Sequence, residues 1–371
     1  MRRLQAGIVS TARITPAGAV CLGASLWGCL AVYNASFHLQ PGYWFAGRQL
    51  LWVAVGAMAL WIMSGLDVTE HRRAAATAAA AAYAGLWLVL VFGIRINGMR
   101  GWFAWRGIFL QPSELGKPAY VLCLAAVITA TQPYRQQWWR GYVPVLAVFL
   151  VWALPIALQP DFGALAIYAL VFAVLHWCMG GRLLHLAVTG LAMLPLGTLV
   201  LQQHPYVAER FLAVVDPAAH ARGAGWHIVQ FQRSLASGGW LGRSWGRGFW
   251  SQAYLPLGHS DSIFASTAEA VGFLGVLPIV IGYLAWAVYG YTRTRRTTQP
   301  FTTAVIWGMV ILLTGQALVH LSVNLGMLPP TGITLPLISY GGSSLLATLI
   351  AVGIVEGLAI SPRPATTDDS A

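Results

Sequence analysis

Residues 111–131, QPSELGKPAYVLCLAAVITAT, decide the fold. Positions 113–131 are long enough to cross about 30 Å of hydrocarbon as a helix. Glu114 and Lys117 lie three residues apart, on one face of that helix. Lys117 is the only lysine among 22 Lys and Arg residues. A lysine or aspartate at the middle of a bilayer costs about 2.5–3.5 kcal/mol, so an acid and a base placed together there are expected to relieve each other. Two readings stay open for the pair: a structural tie between spans, and a functional site.

The rest of the chain agrees with a membrane setting. Of 371 residues, 57% are hydrophobic and 9% charged, a balance that no soluble core requires. Mean hydropathy is +0.66. Apolar runs at 14–37, 47–65, 74–94, 113–131, 141–158, 162–179, 183–202, 264–289, 302–324 and 336–360 predict an all-α integral membrane protein of about ten transmembrane helices. Twelve arginines in short loops fall on one side: Arg2, Arg3, Arg13, Arg72, Arg73, Arg135, Arg140, Arg182, Arg293, Arg295, Arg296 and Arg363. Four fall on the other: Arg48, Arg95, Arg100 and Arg106. The positive-inside rule then puts both termini in the cytoplasm. The net charge of +11 reflects this bias, and its dispersal among spans argues against nucleic acid as a partner.

Residues 1–360 read as a single polytopic domain, and 361–371 as a polar, disordered cytoplasmic tail. The run from Ile14 to Phe37 exceeds a signal-peptide core and lacks a small-x-small cleavage site, so it is expected to be a retained first span. Cys21, Cys29, Cys123 and Cys178 all fall in spans, with no metal-type spacing, and read as inert buried residues. One large segment, 203–262, lies outside the cytoplasm by the parity of the spans. Within it, Trp226 to Ala236 sets Ile228, Phe231 and Leu235 against Gln230, Gln232 and Arg233, the pattern of a helix lying in the membrane interface.

Outer-facing carboxylates are few: Glu114, Asp161, Glu209, Asp216, Asp261 and Glu269. Asp261, where the loop enters the eighth span, has two readings: a helix N-cap, or a general base beside the lipid surface. Asp161 invites the N-cap reading as well. Glu269 lies at a depth similar to Lys117, so Glu114, Glu269 or both are expected to hold the lysine. His259 is a polar loop residue that could assist Asp261 or bind phosphate. Arg210, Arg222, Arg233, Arg243 and Arg247, with Arg100 and Arg106, put seven cations on the outer face, suited to phosphate or to anionic headgroups.

Taken in order, several strings resemble the SEDS family of shape, elongation, division and sporulation proteins, which includes FtsW and RodA. They are Asn97-Gly98-x-Arg100-x-Trp102, Gln111-Pro112-Ser113-Glu114-x-x-Lys117, Gln159-Pro160-Asp161-Phe162-Gly163, and Arg210-Phe211-Leu212 with Asp216-Pro217. Gln230, Gly238-Gly239, Tyr254-Leu255-Pro256, His259-Ser260-Asp261 and Glu269-x-x-Gly272-Phe273-x-Gly275 follow, and Thr331 to Ser344 closes the series. The last string is somewhat closer to the division branch. The resemblance implies a SEDS-type bundle in the cytoplasmic (inner) membrane that polymerises lipid II into glycan strands, for division or for elongation and cell shape. It implies a class B penicillin-binding transpeptidase as partner, besides the growing strand and membrane lipids.

In that picture Asp261 matches the essential aspartate of the family. Lys117, Glu114, Arg100, Arg210, Asp161, Gln230, His259, Glu269 and Ser343 become candidates for substrate or phosphate binding, with a divalent cation (Mg or Mn) as an optional aid. This chain departs from the family pattern at Leu257, Gly258, Ser262, His227 and Ala270; the acids missing around 257 and 270 weaken the case for a metal. Two alternatives follow from the same residues. One is a flippase or transporter of lipid-linked precursors; the other is a catalytically weak scaffold that recruits the transpeptidase.

Overall fold

The structure, a computed structural model, describes residues 14–360 apart from 40, 42, 97 and 204. Expectations for the first arginines and for the tail at 361–371 lie outside the described residues. Every expected span is a helix: α1 (Pro16–Ser36), α2 (Tyr43–Ser64), α3 (Val68–Phe92), α4 (Pro112–Ala130), α5 (Val143–Leu158), α6 (Phe162–Cys178) and α7 (Leu183–Gln203). The outer segment holds α8 (Pro205–Val215), α9 (Trp226–Gly238) and α10 (Phe249–Ala253). Then come α11 (Ile263–Thr294), α12 (Pro300–Asn324) and α13 (Gly342–Ile360). Among the described residues, eight helices are long and apolar enough to cross a membrane, while Phe162–Cys178 and Gly342–Leu358 are apolar but shorter. This is a multi-pass helical membrane bundle.

Its centre is α4 and α12: 67% and 72% of their apolar windows are buried, against 6% for α7, which therefore lies at the rim. α12 packs on α4, α6 and α11, and α13 runs along α2. Two boundaries differ from expectation for local reasons. α3 starts before 74 because Asp67 accepts from the Glu70 amide and Glu70 from the Asp67 amide, both at 2.8 Å. That capping box draws Arg72 and Arg73 into the helix. α13 starts at Gly342 rather than 336 because the preceding segment is held out of helix: the Ser339 hydroxyl accepts from the Leu335 amide at 2.7 Å, and Leu337 has φ 68°.

The chain is not wholly helical. β1 (Ile94–Ile96), β2 (Met99–Trp105) and β3 (Ile108–Leu110) form an antiparallel meander before α4. Trp105 and Ile108 pair across Arg106 and Gly107, whose φ values of 47° and 81° suit the primed turn that matches strand twist. Of the cysteines, Cys21 is buried, whereas Cys178 is exposed at the end of α6, contrary to the expectation that all four are buried; all are free thiols.

α9 also differs from expectation. It buries Gln230 and Ser234 together with Ile228 and Phe231 and docks on α11, rather than resting on lipid with Gln230 outward. α11 itself is broken at Gly272, with φ 73° and ψ −179°. The loop after α9 splints the break. Arg243 N donates to Glu269 O (2.8 Å) and Ser244 N to Ala270 O (2.9 Å), while Phe273 N donates to Gly239 O (2.9 Å) and Leu274 N to Trp240 O (3.2 Å). Gly242 makes the approach possible, since a Cβ there would sit 2.3 Å from Ala270 O and φ is +81°. Gly242→Ala is therefore expected to cost at least about 2 kcal/mol. A melting temperature in detergent equal to that of the wild type would refute the splint's importance.

Candidate active site

Lys117 sits in the second turn of α4 and is 2% exposed. Its Nζ lies 2.5 Å from Glu114 Oε1 and 2.8 Å from Gln316 Oε1 on α12. The pairing with Glu114 is as expected; the pairing with Glu269 is not found. Glu269 instead accepts from Trp250 N (3.0 Å), Ser251 N (2.6 Å) and Ser234 Oγ (3.2 Å), so it anchors α10 and α9 to α11. Gln316 passes the lysine's hold onward. Its Nε2 donates to Thr334 O (3.1 Å) and reaches Thr334 Oγ1 (3.2 Å) and Ser344 Oγ (3.3 Å). A small cavity beside this network is lined by Glu114, Lys117, Gln316, Ser344 and Thr348.

Asp161 is the N-cap of α6, accepting from Ala164 N at 2.9 Å. Its other oxygen accepts from Ser113 Oγ (3.0 Å) and Gln111 Nε2 (3.1 Å), which ties α6 to the start of α4. Ser343 Oγ accepts from Gln111 N at 2.9 Å and so joins α13 to the same junction. The N-cap reading therefore holds for Asp161.

It does not hold for Asp261. Ser262 occupies the cap position of α11 and makes no side-chain capping bond. Ser262 Oγ instead donates to Pro256 O at 2.6 Å, closing the turn that carries Asp261. Further bonds fix this turn to the segment before α13: Ser339 Oγ donates to Ser260 O (2.8 Å) and Tyr340 N to His259 O (2.8 Å). The Asp261 carboxylate is half-buried, with the Ser260 hydroxyl beside it. A Cβ on Gly332 would lie 3.7 Å from Asp261 Oδ2, so that glycine walls one side of the carboxylate. Burial pushes the Asp261 pKa up to about 6, with the Ser260 hydrogen bond opposing the shift.

His259 lies between Phe45 and Tyr340, with ring centroids 4.4 and 5.4 Å away. Burial, and then the neighbouring His38, lower its pKa to about 4. It is neutral at pH 7 in the protein without a bound anion. Arg210 Nη1 donates to Pro330 O at 3.0 Å, next to the segment flanking Asp261, and its guanidinium is exposed over Tyr206. Arg100 Nη1 donates to Leu90 O at 3.0 Å. Gln230 is buried, and its Oε1 has no partner among the described residues.

The structure thus gathers two clusters, one around Lys117 and one around Asp261, joined along α12. Sequence reading missed the joining residues Gln316, His320 and Asn324. Their signal was present as three polar residues at intervals of four in an apolar span. Among the described residues no three His, Cys, Asp or Glu side chains come together. With Leu257 and Gly258 beside Asp261, the donor set does not fit a resident divalent ion.

Comparison with known proteins places this architecture. Residues 17–363 match the FtsW/RodA/SpoVE family, described as cell cycle proteins. The chain is 31% identical over 348 residues to the probable peptidoglycan glycosyltransferase FtsW of Trichlorobacter lovleyi, covering 91% of both. It is 30% identical to the stage V sporulation protein E of Bacillus subtilis over 88% of this chain and 92% of that protein. A solved structure described as the coordination of polymerization and crosslinking by a peptidoglycan synthase complex contains a chain with TM-score 0.74 and 28% identity, covering 91% of this chain and 96% of that one. The Thermus thermophilus rod shape determining protein RodA gives TM-score 0.68 at 25% identity, over 92% and 95% of the two chains. The fold, the ordered motifs and the match along nearly the whole length agree, and this multi-pass inner-membrane chain belongs to the FtsW/RodA/SpoVE family.

Proposed function

We propose that the protein is an inverting glycosyltransferase that polymerises lipid II at the outer face of the membrane, with Asp261 as the general base. The observation that carries this reading is a carboxylate at the mouth of the bundle that makes no cap or ion pair among the described residues, with a pKa pushed up to about 6. A base works best when its pKa lies near the working pH. Its task is to accept the proton of the acceptor sugar hydroxyl as that oxygen attacks the anomeric carbon. The leaving group is a lipid diphosphate, already a stabilised anion, so a second carboxyl to protonate it is not needed. Arg210, exposed beside the 330–332 segment, is the cation best placed to meet that charge. Lys117 and Glu114 hold the floor of the site through Gln316 and Thr334. By analogy with relatives that work in a synthase complex, a class B penicillin-binding protein is the expected partner.

The test is a gel assay with labelled lipid II, with and without the transpeptidase. A polymerase yields glycan ladders; a flippase moves label across vesicles without polymer, and a scaffold does neither. The wild-type pH profile adds a second prediction. The base must be ionised in the free enzyme, so kcat/KM should rise through about pH 6 and fall about tenfold per unit below it. A kcat/KM that stays flat down to about pH 4.5, well below that pKa, would exclude Asp261 as the base.

A further inference from the structure

His320 and Asn324, one turn apart at the outer end of α12, are 1% and 0% exposed, and the catalytic reading above does not use them. His320 Nδ1 lies 2.7 Å from Ile333 O. A carbonyl only accepts, so Nδ1 carries the hydrogen and Nε2 is left as an acceptor. Asn324 Nδ2 meets that acceptor at 3.2 Å and donates to Asp261 O at 3.0 Å. It also lies 3.1 Å from His320 O. Asn324 Oδ1 accepts from Ala265 N at 3.2 Å, one of the open amides in the first turn of α11. Turning the amide over would face its oxygen towards three acceptors, so this network admits only one orientation of each side chain.

We propose that His320 and Asn324 are positioning residues that clamp the backbone of Asp261 to the 331–333 segment and so set where its carboxylate meets the acceptor hydroxyl. This inference rests on the reading of Asp261 as the base. The clamp grips both sides of the carboxylate: Asp261 O and Ala265 N on one side, and on the other Ile333 O, whose neighbour Gly332 faces Asp261 Oδ2. Loss of either side chain strands buried main-chain groups and frees the turn. Displacing a catalytic group by about 1 Å can cost about 100-fold in rate.

The experiment compares kcat and KM for the lipid-linked substrate in full-length protein carrying His320→Leu, Asn324→Leu or His320→Gln, with Asp261→Ala as control. Both leucine variants should lose about 10- to 100-fold in kcat while KM changes less than about threefold. The glutamine amide can offer one donor and one acceptor, and should restore kcat to within about threefold of wild type. If a leucine variant does not elute as a single folded species, Asn324→Ser is used in its place, since it is small enough to admit water at Ala265 N. Wild-type kcat in the folded variants, or a rise in KM alone, overturns the clamp. Should Asp261→Ala itself polymerise at the wild-type rate, the reading of the base fails instead, and the two failures are told apart.

Discussion

Asp261→Asn should abolish glycan polymerisation while raising the melting temperature. Removing a general base typically costs 10²- to 10⁴-fold in rate, approximately, and the amide cannot take the acceptor's proton. The stability effect has the opposite sign. Burial raises the Asp261 pKa from 3.8 to about 6, so the folded state binds this proton more tightly than the unfolded chain does. Ionisation therefore costs stability as pH rises through that window, and at neutral pH the full cost is present. That shift is worth about 3 kcal/mol at full weight, and an amide of the same shape escapes on the order of 1–2 kcal/mol of it, because water screens a half-buried carboxylate. Thermal melts and lipid II polymerisation, measured on the same preparation, check both halves. A variant that polymerises like the wild type removes the mechanism, and one that melts lower at neutral pH contradicts the desolvated carboxylate.

Lys117→Met should be among the most destabilising substitutions in the chain. It leaves Glu114 partly buried with no counter-charge and leaves Gln316 Oε1 without its donor. Breaking a buried pair from one side costs about 3–5 kcal/mol, whereas replacing both partners by apolar or neutral groups is often close to neutral. The double variant Lys117→Met/Glu114→Gln should therefore recover most of the loss. Folded yield and melting temperature in detergent decide the matter. A single variant as stable as wild type, or a double variant no better than the single, would show that the ammonium does not organise this part of the bundle.

How far the sequence could be read depended on whether a signal was local. Ten apolar runs became ten helices because hydrocarbon thickness imposes length and hydropathy on every span. The Glu114–Lys117 contact was legible because three-residue spacing on a helix brings side chains together whatever surrounds them. Glu269 was assigned the wrong partner because depth in the bilayer fixes one coordinate only, and the amides of Trp250 and Ser251 come to it through a loop fold that no spacing encodes. The meander from Ile94 to Leu110 was hidden in a segment too short and mixed for alternation to stand out, although Arg106-Gly107 carried a turn signal. Capping assignments split in the same way. Asp161 and Asp261 look alike in sequence, but only Asp161 meets its helix amide, since Asn324 takes the open amide of Ala265 that a capping side chain would otherwise approach.

The break at Gly272 has a corollary for anyone who would transplant parts between relatives. The strip from Gly239 to Ser244 supplies four main-chain bonds that a continuous helix would have made for itself. Main-chain groups left open within a span have few other partners. A chimera that exchanged the outer segment alone would bring a foreign edge to an opened helix and leave those amides and carbonyls unpaired. Segment and helix must be inherited as one cassette, cut before Trp226 and after Leu274.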